Sequence, residues 1–330
     1  MKTKKPDIFL GITLGMLVLA VILCLVILFV QKSGDSPAQQ PEPENTTQGT
    51  GETGNSNDPE GTGGTGAETA GTAETGEPVT PPAELNPIDE AGLKAALDDE
   101  LSGLTSEWQV MVIDPAKDTQ VSSARNCGVD GWMTANRMTP VFIMAAAFQQ
   151  VADGKLTEDQ ILADVQAMIV QGDTEAADRL TELLGGGNAE KGREAVKSVA
   201  SDNGVKLGFN RPLTGTSSNK NYVTAMQTAK ILDLMCKGEL VSKAASDQML
   251  EILCTPKNQD EIDPMLTGEN ISYGFVCDVE DKVCICTMGV VRLPNRSFVI
   301  SVVCNKPVTT NGAKEKIGKI IAATQPFFAE

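Results

Sequence analysis

The 330-residue sequence contains no histidine, and that absence removes histidine-based catalytic triads, histidine metal sites and histidine pH switches together. Positive charge is also scarce. Lysine and arginine number 27 against 44 acids, for a net charge of −17, and no basic stripe exists to neutralise phosphates. Nucleic acid is therefore excluded as a partner. No CxxC occurs among the eight cysteines, so zinc has no obvious site. Cys284 and Cys286 alone would give two ligands on one face of a strand. No metal and no cofactor is expected.

What is present falls into zones. Residues 1–7 form a short N-terminus with Lys2, Lys4 and Lys5. Ile8 to Val30 is an uninterrupted apolar or small-residue run of bilayer-spanning length, broken by no ionisable side chain except the thiol of Cys24. The preceding lysines place the N-terminus in the cytoplasm and everything after Val30 outside. A cleaved signal peptide shares the charged start, but the run is too long and no small-x-small site follows closely. Cys24 sits among Leu23, Leu25 and Val26 rather than behind small residues, which argues against lipoprotein processing.

Gln31 to Asn86 is dominated by Gly, Thr, Glu, Pro, Ser and Asn. It has too little apolar surface to offset its ordering entropy and reads as a disordered acidic tether, spanning on the order of 40 Å as a flexible coil. Its GTGGTG stretch follows no strand, opens no helix and carries no lysine, so it is not a phosphate loop. Pro87 to Glu330 is the folded domain, of a size that supports one core.

Within that domain Ile88, Leu93, Ala96, Leu97 and Leu101 recur at helical spacing. WQVMVID and TQVSSAR alternate like strands around the turn Pro115-Ala116-Lys117-Asp118. Helices are expected over Val141 to Ala152, Glu158 to Gln171, Asp173 to Leu184, Glu190 to Ser201, Thr224 to Lys237 and Ser242 to Leu253. Three strands follow, YGFVCDV, KVCICTMGVV and SFVISVVC, then a helix from about Asn311 to Thr324. This order predicts an α+β domain, an antiparallel sheet flanked by helices with a separate all-helical lobe.

Two pieces, WMTANRMTPVFIMAAAFQQVADGKLTEDQ and IVQGDTEAADRLTELLGGG, resemble the class A β-lactamase family and its penicillin-binding relatives. There a helix opens with SxxK, runs on to a GKL-like turn and is followed by SDNTAAN. The likeness extends over nearly all of the domain and implies the β-lactamase-like fold. It also implies acyl transfer, in which a serine attacks a carbonyl, a lysine one turn later takes its proton and a second serine relays protons.

The frame is kept and the reactive residues are not. Counting back from Gly154-Lys155-Leu156, the serine and lysine positions fall on Asn136 and Thr139, or one residue later on Arg137 and Pro140. In the second motif the triplet becomes Gly172, Asp173 and Thr174. Thr134 and Arg137 stand three apart, but arginine stays protonated and cannot act as a base. The plain roles for Thr134 and Thr139 are a helix N-cap and a first-turn hydroxyl, with Pro140 tolerated just inside the start. Asp173 reads as the N-cap of the next helix. Ser201-Asp202-Asn203 and Ser217 to Lys220 spell SDN and SxxK in the wrong places.

The family's KTG, which recognises a substrate carboxylate, is replaced by Asp278-Val279-Glu280, two anions for a cation. An alternative placement is Leu266-Thr267-Gly268. Asn210-Arg211-Pro212-Leu213 resembles the start of the family's Ω-loop and lacks its acid. Strand pairing around Val279-Glu280-Asp281 would set Cys277 opposite Cys284, and pairing around Pro294-Asn295 would set Cys286 opposite Cys304. Both are candidate disulfides, with buried reduced thiols as the alternative.

The expectation is a membrane-anchored, extracytoplasmic pseudoenzyme that binds a cell-wall component or exported envelope protein. A hydrolase with noncanonical residues and a plain scaffold are its rivals.

Overall fold

The sheet that organises the domain has five antiparallel strands in the order β2-β1-β7-β6-β5. They are β1 (Glu107–Asp114), β2 (Thr119–Arg125), β5 (Ser272–Glu280), β6 (Cys284–Arg292) and β7 (Ser297–Asn305). A two-residue ribbon, β3 (Met133–Thr134) with β4 (Tyr222–Val223), lies apart from it. The computed structural model describes residues 85–215, 219–255 and 262–329. The expected membrane segment and nearly all of the tether fall outside those residues, as do Ser217 and Ser218.

Two helices cover the back of the sheet. Helix α1 (Glu90–Leu101) starts at Asp89, whose carboxylate accepts the Gly92 N–H at 2.9 Å. Its apolar residues at i, i+4 and i+8, Leu93, Leu97 and Leu101, are buried. Helix α8 (Thr310–Thr324) buries Ile317, Ile320 and Ile321 beside them, with Phe298 and Phe328 filling the same layer.

The front of the sheet meets the lobe of α2 (Pro140–Ala152), α3 (Glu158–Val170), α4 (Thr174–Leu184), α5 (Ala189–Asp202), α6 (Ala225–Cys236) and α7 (Lys243–Leu253). Helix α2 is buried from Pro140 through Phe148 and forms the axis of the lobe, as its unbroken apolar run requires. Helices α4 and α5 approach so closely that a Cβ at Gly192 would lie 1.7 Å from the Thr181 carbonyl oxygen. The helices and strands expected from periodicity are all present, with ends displaced by one or two residues.

The two hairpin registers differ from expectation. Strand β5 runs on to Glu280, which faces Cys284, so Cys277 faces Thr287. Across the next hairpin Cys286 faces Val303, while Cys304 faces Ile285. Cys286 and Cys304 therefore lie on opposite faces of the sheet, one in each core. Neither disulfide forms, and Cys284, Cys286 and Cys304 are reduced thiols. Burial pushes the Cys304 thiol up to about 12 and raises that of Cys286 well above its ordinary value. They pack as small hydrophobes rather than reactive thiolates.

Candidate functional site

The residues singled out by the motifs converge where the start of α2, the start of α4 and the edge strand β5 meet. Ala135 N–H donates to the Asn221 carbonyl at 3.1 Å, continuing the ribbon. Three residues, Asn136, Arg137 and Met138, lead from there toward α2. Asn136 is buried. Its amide donates to Glu280 Oε2, and its Oδ1 accepts the Asn221 N–H at 3.1 Å. Asn221, also buried, returns its own amide to the Asn136 carbonyl at 2.9 Å. Its Oδ1 accepts the N–H groups of Asn210 and Arg211 at 2.8 and 3.0 Å. One asparagine thus fixes both walls of the cleft.

Arg137 and Pro140 face the cleft, whereas Asn136 and Thr139 are buried beneath it. Thr139 occupies the N-cap position of α2, but its hydroxyl caps nothing and has no hydrogen-bond partner. Thr134 is not a helix cap. It lies in β3, and its N–H and carbonyl are bound at 2.8 Å by the Asn305 amide in the orientation that satisfies both groups.

Asp278 projects from β5 toward the front of the sheet and is fully buried. Its Oδ2 accepts the Arg137 backbone N–H at 2.9 Å and the Cys284 thiol at 3.3 Å, while Oδ1 has no partner. Burial raises its pKa, and the Arg137 N–H, the Cys284 thiol and the Arg137 charge offset this only in part. Glu280, two residues on, is half-buried, with Lys220 Nζ 3.7 Å from its Oε1.

Asp173 is the N-cap of α4. Its carboxylate accepts the N–H groups of Glu175 and Ala176 at 2.8 and 3.1 Å, and the preceding Gly172 takes a positive φ of 69°. Gly172, Asp173 and Thr174 line a pocket of about 120 Å³ with Arg137, Pro140, Met168, Ile169, Phe275 and Val276. Next to it, sharing Arg137, Thr174 and Leu213, is an open cavity of about 420 Å³ reaching Arg211, Gly215, Lys220 and Glu280.

Leu266-Thr267-Gly268 is not in this cleft. Thr267 is bound to Gln325 through its N–H at 3.0 Å, and Leu266 packs in the back core. Ser201-Asp202-Asn203 closes α5 before Gly204, at φ 66°, as its turn chemistry implied. Lys220, the last residue of the misplaced SxxK stretch, lies in the cleft. Among the described cleft residues, one hydroxyl is bound to a carboxylate. Thr214 Oγ1 lies 2.5 Å from Asp178, which also accepts the N–H groups of Leu213 and Thr214 at 2.7 and 3.0 Å. That carboxylate staples the loop, and its acceptor capacity is largely used.

Residues 162–325 match the family model described as the β-lactamase enzyme family. Over that stretch, just under half of its length, the chain is similar to the β-lactamase enzyme family. Among solved structures, the TLA-1 extended-spectrum β-lactamase superposes with a TM-score of 0.63 at 14% identity, covering 73% of this chain and 99% of that one. A β-lactamase from Sphaerobacter thermophilus DSM 20745 gives 0.58 at 18% identity, covering 72% and 96%. A mutant of PBP-A in its acyl-enzyme complex with penicillin G gives 0.60 at 17% identity, covering 72% and 96%. At these identities the likeness is one of fold. No curated protein sequence matches the chain.

Proposed function

We propose that this β-lactamase-like chain is a non-catalytic binding protein, held outside the membrane by Ile8 to Val30 and presented on the Gln31 to Asn86 tether. Its ligand is a component of the cell envelope, either a wall constituent or an exported protein. The observation that carries the reading is the bond from the Arg137 N–H to the buried Asp278 carboxylate. A backbone donor at the opening of this helix is where acyl transfer would stabilise a developing oxyanion. Here a side-chain oxygen fills it, and ionisation of Asp278 would repel any second anion at that point. Arg137 and Pro140 beside it offer neither nucleophile nor base. The open cavity remains free for binding.

The test is intact-mass spectrometry of the full-length chain in non-ionic detergent, after incubation with a fluorescent penicillin and separately with a broad fluorophosphonate. The expected result is an unchanged mass from protein shown to be folded. A stoichiometric adduct on Thr134, Thr139, Thr214 or any serine would overturn the reading and make the chain an acyl-transfer enzyme with unusual residues. Anchoring is checked separately. Protease added to intact cells should release the domain by cutting within the tether.

A further inference from the structure

Arg211 is only 7% exposed, and its backbone is pinned on both sides by Asn221, through the N–H at 3.0 Å and the carbonyl at 3.2 Å. Its Nε has no partner. Among the described residues the guanidinium forms no ion pair and no hydrogen bond. The Nε is desolvated without an acceptor, which is costly, and no acid among the described residues pairs with the guanidinium. Asp178, the carboxylate bonded to the residues just after Arg211, is turned to the Leu213 and Thr214 N–H groups instead.

The guanidinium borders the 420 Å³ cavity together with Arg137, Lys220, Glu175 and Glu280. Glu280 is already served by Lys220 and by the Asn136 amide, and Glu175 is exposed in the first turn of α4. Arg137 acts on the buried Asp278 carboxylate, so the cation without a carboxylate partner among the described residues is Arg211. Planar guanidinium groups match the oxygens of carboxylates and phosphates. The smaller pocket that shares Arg137, Thr174 and Leu213 has an apolar wall of Met168, Ile169 and Phe275.

We propose that the cavity is an anion site anchored by Arg211, taking a ligand whose carboxylate or phosphate oxygens meet Arg211 and Arg137 and whose neighbouring apolar group enters the smaller pocket. This deepens the binding-protein reading and rests on it. The ligand's oxyanion supplies the acceptor that no described residue offers the Arg211 guanidinium. Lys220 is the adjustable element, able to leave Glu280 and add a third donor.

The experiment follows the thermal midpoint of the full-length chain in non-ionic detergent, with titration calorimetry for affinity. The probes are inorganic phosphate, acetate, N-acetyl-leucine and its neutral amide, at ionic strength held constant with chloride. Phosphate or the carboxylates should raise the midpoint, and the amide and chloride should not. N-acetyl-leucine exceeding acetate marks a carboxylate source with an apolar neighbour, and phosphate exceeding both marks a phosphate source. Arg211→Met should weaken the best probe by about tenfold or more while leaving the ligand-free midpoint no lower than that of the parent. Failure of every anion to bind, or unchanged affinity in Arg211→Met, would overturn the proposal. So would a ligand-free Arg211→Met chain that is destabilised or unfolded, since the arginine would then have an internal partner. Absence of anion binding with no penicillin or fluorophosphonate adduct removes this ligand class and leaves the non-catalytic reading standing. Anion binding together with an adduct keeps the site and makes it part of a substrate cleft.

Discussion

Arg296, behind the sheet, and Arg211, in front of it, are each 7% exposed, and their surroundings could hardly differ more. Arg296 donates to the buried Asp114 carboxylate and, at 2.8 Å, to the Asn86 carbonyl, with its guanidinium 5.5 Å from the centre of the Phe328 ring. Arg211 has no acceptor among the described residues. The same contrast holds for the carboxylates. Asp114 receives Arg296 and the Ala116 N–H at 3.1 Å, while Asp278 leaves one oxygen unfilled. Buried hydroxyls repeat it. Thr228 and Ser301 bond to each other at 2.7 Å, whereas Thr139 bonds to nothing. Of the six described buried atoms without partners, three, on Thr139, Arg211 and Asp278, belong to the cleft region, and three, on Trp108, Asp233 and the Nε of Arg296 itself, do not. What separates the two arginines is therefore the carboxylate that Arg296 has and Arg211 lacks among the described residues.

The largest test of this contrast is to make the back resemble the front. Arg296→Met should cost about 3–5 kcal/mol in chemical denaturation, because Asp114 would be left as an uncompensated buried charge. A cost below 1 kcal/mol would mean the back pair is no better matched than the cleft. The converse substitution at the front is Asp278→Asn, expected to stabilise by roughly 1–2 kcal/mol at neutral pH, because it removes a buried charge and keeps an oxygen to accept the Arg137 N–H. Its sign follows from burial holding the Asp278 pKa above the ordinary carboxylate value. The cost of ionising it is fully present above its folded pKa and disappears below the unfolded one. The advantage of Asp278→Asn should therefore shrink as pH falls through that window and vanish below it. A stability difference independent of pH would show that ionisation of Asp278 is not its source.

These gaps are also where the sequence was hardest to read. Periodicity located the helices and strands because Leu93, Leu97 and Leu101, or the alternating residues of WQVMVID, bury one side of an element. Register was lost at both hairpins. The β5–β6 turn places Lys282 at a φ of 60°, where Gly or Asn would have marked it. At the β6–β7 hairpin a one-residue slip was enough to put Cys286 and Cys304 on the same face in expectation when they lie on opposite ones. The cleft was partly legible. Arg137, Gly172, Asp173 and Thr174 line it and Asp278 lies buried beneath it, because motif spacing follows the fold even when the chemistry has gone. Asn221 was missed, since a single asparagine in a polar loop has no local signature. Arg211 did carry a signal, an Ω-loop start whose acid is absent, but only the burial of its guanidinium gives that absence a consequence.

A smaller effect separates cap from cleft at Asp173. Asp173→Ala should lose about 1 kcal/mol, close to the loss from Asn188→Ala at the start of α5, where Asn188 Oδ1 accepts the Glu190 and Lys191 N–H groups at 3.0 Å. Denaturation of the two variants side by side checks this. If Asp173→Ala proved much milder, or stabilising, the aspartate would be serving the cleft at the helix's expense.

The smallest effect is at Thr139, and its direction matters more than its size. Replacing a threonine by valine keeps the branched shape and removes only the hydroxyl. At Thr228 that change should cost about 1 kcal/mol, since Ser301 would lose its partner in a dry site. At Thr139 the same change should be neutral or stabilising by about 0.5 kcal/mol, because the hydroxyl is desolvated and unpaired. A comparable loss at both positions would mean that the Thr139 hydroxyl finds a partner in solution. The contrast between the two faces of the sheet would then rest on Arg211 and Asp278 alone.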